Sequence, residues 1–139
     1  MNPFQSLAEY EKFVYTLAQQ FGAIRSSTLV LARRGRGLAI LSGDLFFESG
    51  YRLSVYELLT WDAGSLLIQN YSYEVWQNAE KIYWYDPQPH PDDPHLAITH
   101  PHHKHVLPNI KHNRIPAPGL RFDEPNLPLL IEEIEKNLR

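Results

Sequence analysis

All seven histidines of this chain fall between positions 90 and 112, and four of them stand in His100-Pro101-His102-His103-Lys104-His105. Imidazole is the side chain whose ordinary pKa lets it give and take protons near neutral pH, and it is also the commonest metal ligand. Chance seldom gathers a scarce residue this tightly, so the segment reads as a site. Metal-free cleavage of an RNA phosphodiester needs a base for the 2′-hydroxyl, an acid for the departing 5′-oxygen and a cation against the phosphorane charge. His102, His103 and His105 with Lys104 supply all three, and Lys111 and Arg114 add phosphate contacts. In an extended segment His103 and His105 share one face while His102 and Lys104 take the other.

The alternative chemistry is a divalent transition metal. His90, His95, His100, His102, His103 and His105 with Asp92 and Asp93 offer more ligands than such an ion takes. The set His100, His102, His103 and His105 is the one a metal-dependent nuclease would use. No His-Glu-x-x-His pattern is present, and His-rich tracts are poorly specific for metal, so the leading expectation is chemistry without a cofactor. The bland reading is a solvated strap whose rings stack on Trp76, Trp84 and Tyr85. His90 and His95, taken singly, read as structural.

Three further features bear on the site. Glu57 interrupts an apolar alternation of Leu53, Val55 and Leu59. Buried there it would have a raised pKa and could orient a histidine or act as an acid; at an edge it would pair with Arg33 or Arg52. Tyr71 and Tyr73 stand two apart, on one face of a strand, so that Tyr73 could meet substrate by holding a phosphate or stacking on a base. Arg33-Arg34-Gly35-Arg36-Gly37 lacks the spacing of a phosphate-binding loop and reads as a solvated turn with some chance of touching a nucleic-acid backbone.

The elements that would carry these residues are legible in outline. Ser6 and Glu9 form a capping box, and Leu7, Tyr10, Val14, Leu17 and Phe21 recur at helical spacing, which predicts a helix over 6–21. Alternating or β-branched runs at 28–33, 38–47, 51–61, 66–76 and 81–85, separated by turns at 34–37, Ser49-Gly50, 62–65 and Asn78-Ala79, predict about five antiparallel strands. Gly43 within the second run suggests a bulge or a close approach. Eight of the eleven prolines lie between 87 and 118, so helix interior and central strand are not expected there, and 87–124 is read as a long functional loop. Leu127, Leu130, Ile131, Ile134 and Leu138, with Pro128 in the first turn, predict a closing helix over 126–138. The expected class is α+β, one domain over 1–139: N-terminal helix, antiparallel sheet, Pro/His-rich loop, C-terminal helix.

Composition narrows the function. With 43% hydrophobic and 12% aromatic residues the chain can bury a core, which excludes a largely disordered protein. No apolar run approaches the roughly 20 residues of a membrane span, and the start lacks signal-peptide character, so a cytoplasmic protein with no membrane partner is expected. The absence of cysteine removes disulfides and thiolate chemistry together. Net charge is −3, against binding of nucleic acid by sheer positive excess. Yet 95–121 holds Lys104, Lys111, Arg114 and Arg121 with no Asp or Glu, a basic strip on an acidic body, as an anion-attracting site requires. A non-catalytic module that binds nucleic acid or protein through this strip, and a histidine pH sensor, are the rival readings.

Several of these residues fall in a recognisable order. Gly43, Leu45, Phe47, Gly50, Leu53, Val55 and Glu57, then Tyr71-Ser72-Tyr73, Trp84-Tyr85-Asp86 and Pro101-His102-His103-Lys104-His105, resemble the TumE family of bacterial toxins over about 24–106, and the likeness resumes in the closing helix. The resemblance implies a toxin acting on RNA, held silent by a cognate antitoxin commonly encoded beside it, with Glu57, Tyr73, Asp86, His102, His103, Lys104 and His105 at the matched positions. Combined with the acid–base reading it leads to a metal-independent ribonuclease; whether the toxin forms a homo-oligomer is left open. Pro87-Gln88-Pro89-His90-Pro91 departs from the family's Asn-Ala-Pro-His-His, and 106–124 is longer and more basic than usual. A helix before an antiparallel sheet is also similar to the RelE and barnase group of toxin nucleases, a likeness of fold only.

Overall fold

Ser6 opens the first helix by accepting the Glu9 N–H at 3.1 Å, half of the predicted capping box. In the computed structural model, which describes residues 2–61 and 64–138, α1 (Leu7–Tyr15) stops earlier than predicted and a short α2 (Leu17–Gln20) follows. The interruption is Thr16, whose hydroxyl donates to the carbonyls of Lys12 at 2.8 Å and Phe13 at 3.3 Å. Such back-bonding competes with the helical ladder. The predicted turn residues Asp62 and Ala63 lie outside the described residues.

Among the described residues the sheet has eight antiparallel strands, not about five: β1 (Ile24–Ser27), β2 (Val30–Arg33), β3 (Leu38–Phe47), β4 (Tyr51–Thr60), β5 (Leu67–Gln77), β6 (Glu80–Asp86), β7 (His103–Val106) and β8 (Arg114–Pro116). Their order is β1-β3-β4-β5-β6-β7-β8, with β2 also paired to β3. Three strands escaped the sequence. β1 buries only Ile24, so it shows no alternation. β7 and β8 sit inside the proline-rich segment, where neither was expected. The prolines do not break them: Pro101 and Pro108 flank β7, and Pro116 ends β8 at the sheet edge, where no ladder donor is required.

β1 and β2 are two pieces of one edge, separated where Gly43 brings β3 against Thr28 and Leu29. A side chain at Gly43 would place Cβ 2.5 Å from the Thr28 carbonyl oxygen and 2.8 Å from Leu29 Cα, on a backbone with φ +135°. Gly43→Ala is therefore expected to destabilise the chain by about 2–4 kcal/mol, through steric overlap and left-handed strain together. Urea unfolding checks this, and a cost under about 1 kcal/mol would mean the edge relaxes freely.

One face of the sheet is the core. Leu53, Val55, Glu57 and Leu59 of β4, Tyr71, Tyr73 and Val75 of β5, and Tyr83 and Tyr85 of β6 are buried. Tyr10 of α1 and Glu133 of α3 (Leu127–Asn137) both reach hydroxyl or carboxyl partners on these residues, which places both helices over the same face. α3 spans nearly the predicted range and buries Leu127, Leu130, Ile131 and Ile134. The opposite face carries a row of cations and indoles: Arg52 lies 5.1 Å from the Trp76 ring, and Lys81 lies 5.4 Å from Trp76 and 4.3 Å from Trp84.

Candidate functional site

The pairing of β6 with β7 assembles the site. Asp86 stands opposite His103 and Trp84 opposite His105, so alternation projects all four side chains onto the open face, while Tyr85 and its partner Lys104 turn to the helices. His103 Nε2 lies 3.1 Å from Asp86 Oδ1, and His105 Nε2 lies 3.3 Å from Asp86 Oδ2. The two Nε2 atoms are 3.0 Å apart. Each ring's other nitrogen faces a carbonyl: His103 Nδ1 is 3.1 Å from Pro101 O and His105 Nδ1 is 3.0 Å from Ile110 O. A carbonyl only accepts, so both Nδ1 atoms carry hydrogen, and in the neutral rings both Nε2 lone pairs face inward. Asp86 is held from behind by the Trp84 indole N–H and the Gln88 amide, each at 2.9 Å. Burial alone would raise the Asp86 pKa, but the hydrogen bonds it accepts from His103 and His105 when those rings carry a second proton, with those from Trp84 and Gln88, outweigh it and hold the carboxyl well below its usual range. His103 and His105 are almost fully covered, by His90 and by the indole of Trp84, which stacks on His105 at 3.9 Å.

His102 sits just before β7 and on the other side. Its Nδ1 lies 2.5 Å from the Tyr71 hydroxyl, and its ring packs against Tyr71 and Phe122. Burial, then the neighbouring His103 and His100, lower its pKa; burial, then the charge of Asp86, raises that of Tyr71. Each residue of this pair lines a cleft. One, of about 530 Å³, is lined by Gln69, Asn70, Tyr71, Asp86, Gln88 and Phe122. The other, of about 320 Å³, is lined by Thr99, His100, His102, Gly119 and Arg121. His102 is thus reachable, whereas His103 and His105 are reached only by way of Asp86.

The remaining sequence candidates are dispersed. Lys104 lies on the helix face, ion-paired with Glu133 at 3.3 Å and 4.0 Å from the Tyr83 ring, away from the imidazoles of His103 and His105. Glu57 contacts no histidine: its two oxygens accept from Tyr10 and Tyr73, each at 2.5 Å. Burial raises its pKa to about 7 against the lowering effect of those two hydrogen bonds. Arg33 and Arg52, its alternative partners, pair with Glu11 and Asp44. Tyr73 is fully buried between Glu57 and Asn126, and so faces no substrate. Arg114 is drawn in, donating to the His90 ring at 2.9 Å, and stands opposite His105 in the β7–β8 pair. Lys111, His95, His100, His112 and Asp92 are exposed, and Asp93 caps the short turn Pro94–Thr99 by accepting from His95 N–H. The arginine turn of 34–37 lies at the opposite edge of the sheet.

Of the residues central to the site, the sequence singles out Asp86 only through the family resemblance and Tyr71 only as one of a pair. The one local signal for Asp86 was its place two residues after Trp84 at a strand end. Nothing in the sequence joins it to a strand beginning at His103.

A family model described as Toxin TumE matches residues 14–138, nearly the whole chain, and the match takes in every residue of the cluster. Neither the curated proteins nor the solved structures yield a match. Among the described residues no helix is long and apolar enough to cross a membrane. A toxin family implies an antitoxin partner, and the chain belongs to one, the TumE family of toxin components of toxin–antitoxin modules.

Proposed function

We propose that this toxin cleaves RNA in the cytoplasm, with His102 as the proton-accepting group and the Asp86–His103–His105 cluster as the seat of positive charge. One observation carries this reading: Tyr71, which holds His102, and Asp86, which holds the two buried histidines, line the same cleft. Two inward-facing lone pairs and a carboxylate must hold a cation, a proton or a metal ion, and that charge meets the developing phosphorane. His102 takes the 2′-hydroxyl proton, the 2′-oxygen attacks phosphorus, and the P–O5′ bond breaks as a proton held at the cluster passes to the leaving oxygen. The products are a 2′,3′-cyclic phosphate and a 5′-hydroxyl. The indole and cation row of Arg52, Trp76, Lys81 and Trp84 leads across the open face to His105, which suits stacked bases flanked by phosphates.

Purified chain incubated with RNA, once in EDTA and once with added Mn²⁺ or Zn²⁺, is expected to yield fragments ending in cyclic phosphate. Cleavage that persists in EDTA identifies the metal-free form expected from the sequence, and cleavage that needs the ion identifies the metal-assisted form. Bound but intact RNA in every condition would make the protein a binding module instead.

A further inference from the structure

We infer that Asp86, His103 and His105 form a site for one divalent first-row transition ion. Three observations point there independently of any assumption about RNA. The first is spacing. Metal–ligand bonds of about 2.1 Å at angles of about 90–110° set donor atoms roughly 3.0–3.4 Å apart. The Nε2–Nε2 distance is 3.0 Å, and the two Nε2–carboxylate distances are 3.1 and 3.3 Å. Each ring meets a different oxygen of Asp86, His103 facing Oδ1 and His105 facing Oδ2, as a carboxylate that chelates the ion through both oxygens requires.

The second observation is where the hydrogens sit. With both Nδ1–H groups committed to the Pro101 and Ile110 carbonyls, the neutral rings leave three acceptors that converge with nothing between them to donate. One added proton bridges a single pair of these atoms, whereas an ion at their centre satisfies all three. The third is the outer layer. Ligating histidines characteristically donate their second N–H to a carbonyl, and ligating carboxylates are themselves hydrogen-bonded. Both histidines here do the first, and Asp86, held by the Trp84 indole and the Gln88 amide, does the second.

The donor set of two imidazoles and one carboxylate is suited to Mn²⁺, Fe²⁺, Co²⁺, Ni²⁺ or Zn²⁺ and leaves coordination positions vacant. Asp86 is partly exposed on the cleft of about 530 Å³, which gives an ion its access route and a phosphate oxygen a place to bind it. These ligands differ from the His100, His102, His103 and His105 set that sequence spacing suggested: His100 is exposed, and His102 is engaged by Tyr71.

The test is direct uptake by the chelator-stripped full chain, titrated with Co²⁺ by visible absorption and with Zn²⁺ by calorimetry. One equivalent is expected to bind, with weak Co²⁺ bands of five- or six-fold coordination and a rise in Tm. Asp86→Asn and His105→Gln, confirmed folded by circular dichroism, are expected to weaken binding by more than about 100-fold. Trp84→Phe, which removes one outer hydrogen bond, should cost about 10–100-fold. A chain with His95→Ala, His100→Ala and His112→Ala should bind as wild type. Absence of stoichiometric uptake by the folded wild-type chain, or uptake lost in the triple variant, would overturn the site. Should His105→Gln not fold, Asp86→Asn and the wild-type Co²⁺ spectrum decide alone. RNA cleavage in EDTA by a chain that takes up no ion would defeat this inference and leave the nuclease reading standing, and ion uptake without cleavage would do the reverse.

Discussion

Glu57→Ala is expected to cost on the order of 4 kcal/mol of folding stability, the largest loss from any single substitution considered. The substitution leaves the buried hydroxyls of Tyr10 and Tyr73 without the carboxyl that accepts from both, and opens a void at the centre of β4. Each orphaned hydroxyl costs about 1–3 kcal/mol, and the void adds to it. Denaturant unfolding reads the loss directly. Glu57→Gln separates charge from contact, since the amide can accept from one tyrosine and donate to the other.

The pH dependence has a definite sign. The folded pKa of Glu57, about 7, lies above its ordinary value of 4.5, so the native state binds the proton more tightly than the unfolded chain does. Its contribution is complete below about pH 4.5 and is lost as pH rises through 7, a change on the order of 3 kcal/mol. Comparing wild type with Glu57→Gln across this range isolates the group. A difference between them that stays flat from pH 5 to 8 would place the proton elsewhere.

His102→Ala is expected to lower the rate of RNA cleavage by about 10²–10⁴-fold, the usual contribution of a positioned general base. Its fold should survive, because the ring lines the cleft of about 320 Å³ and its contacts are to Tyr71 and Phe122. Tyr71→Phe deletes only the hydroxyl that orients the ring. A hydrogen bond of roughly 1.4 kcal/mol then predicts about a tenfold fall in kcat with KM unchanged. Tyr71 is a positioning residue, and this split tells it apart from a packing role, which would lower Tm and leave kcat alone. If His102→Ala kept more than about a tenth of the wild-type rate, the base would have to be another group. The same substitution leaves Asp86, His103 and His105 in place, so ion binding should persist in it.

Much of the fold was legible because it is written in periods. The helix start at Ser6, the alternation through β3 to β6, the glycine that admits the β1–β2 break, and the closing helix behind Asn126 all follow from spacing and local conformational preference. What was missed has physical causes. Thr16 breaks its helix through a side-chain hydrogen bond that no hydrophobic period reveals. β7 is four residues long and lies among prolines, and it is a strand because β6 and β8 supply its partners.

The sequence by itself determined the chemistry on offer: where the imidazoles are, that six of the seven lie in a stretch, 95–121, without acidic residues, and that His103 and His105 project together because strand side chains alternate. Only the tertiary structure decided how that chemistry is shared out. The antiparallel register of β6 and β7 sets Asp86, 17 positions before His103, against both buried rings, and the same register sends Lys104 through to Glu133 on the helix side. Glu57 is taken by two tyrosines from different elements, and His102 is left to Tyr71. These pairings depend on contacts between residues far apart in the chain, and such contacts leave no period to read.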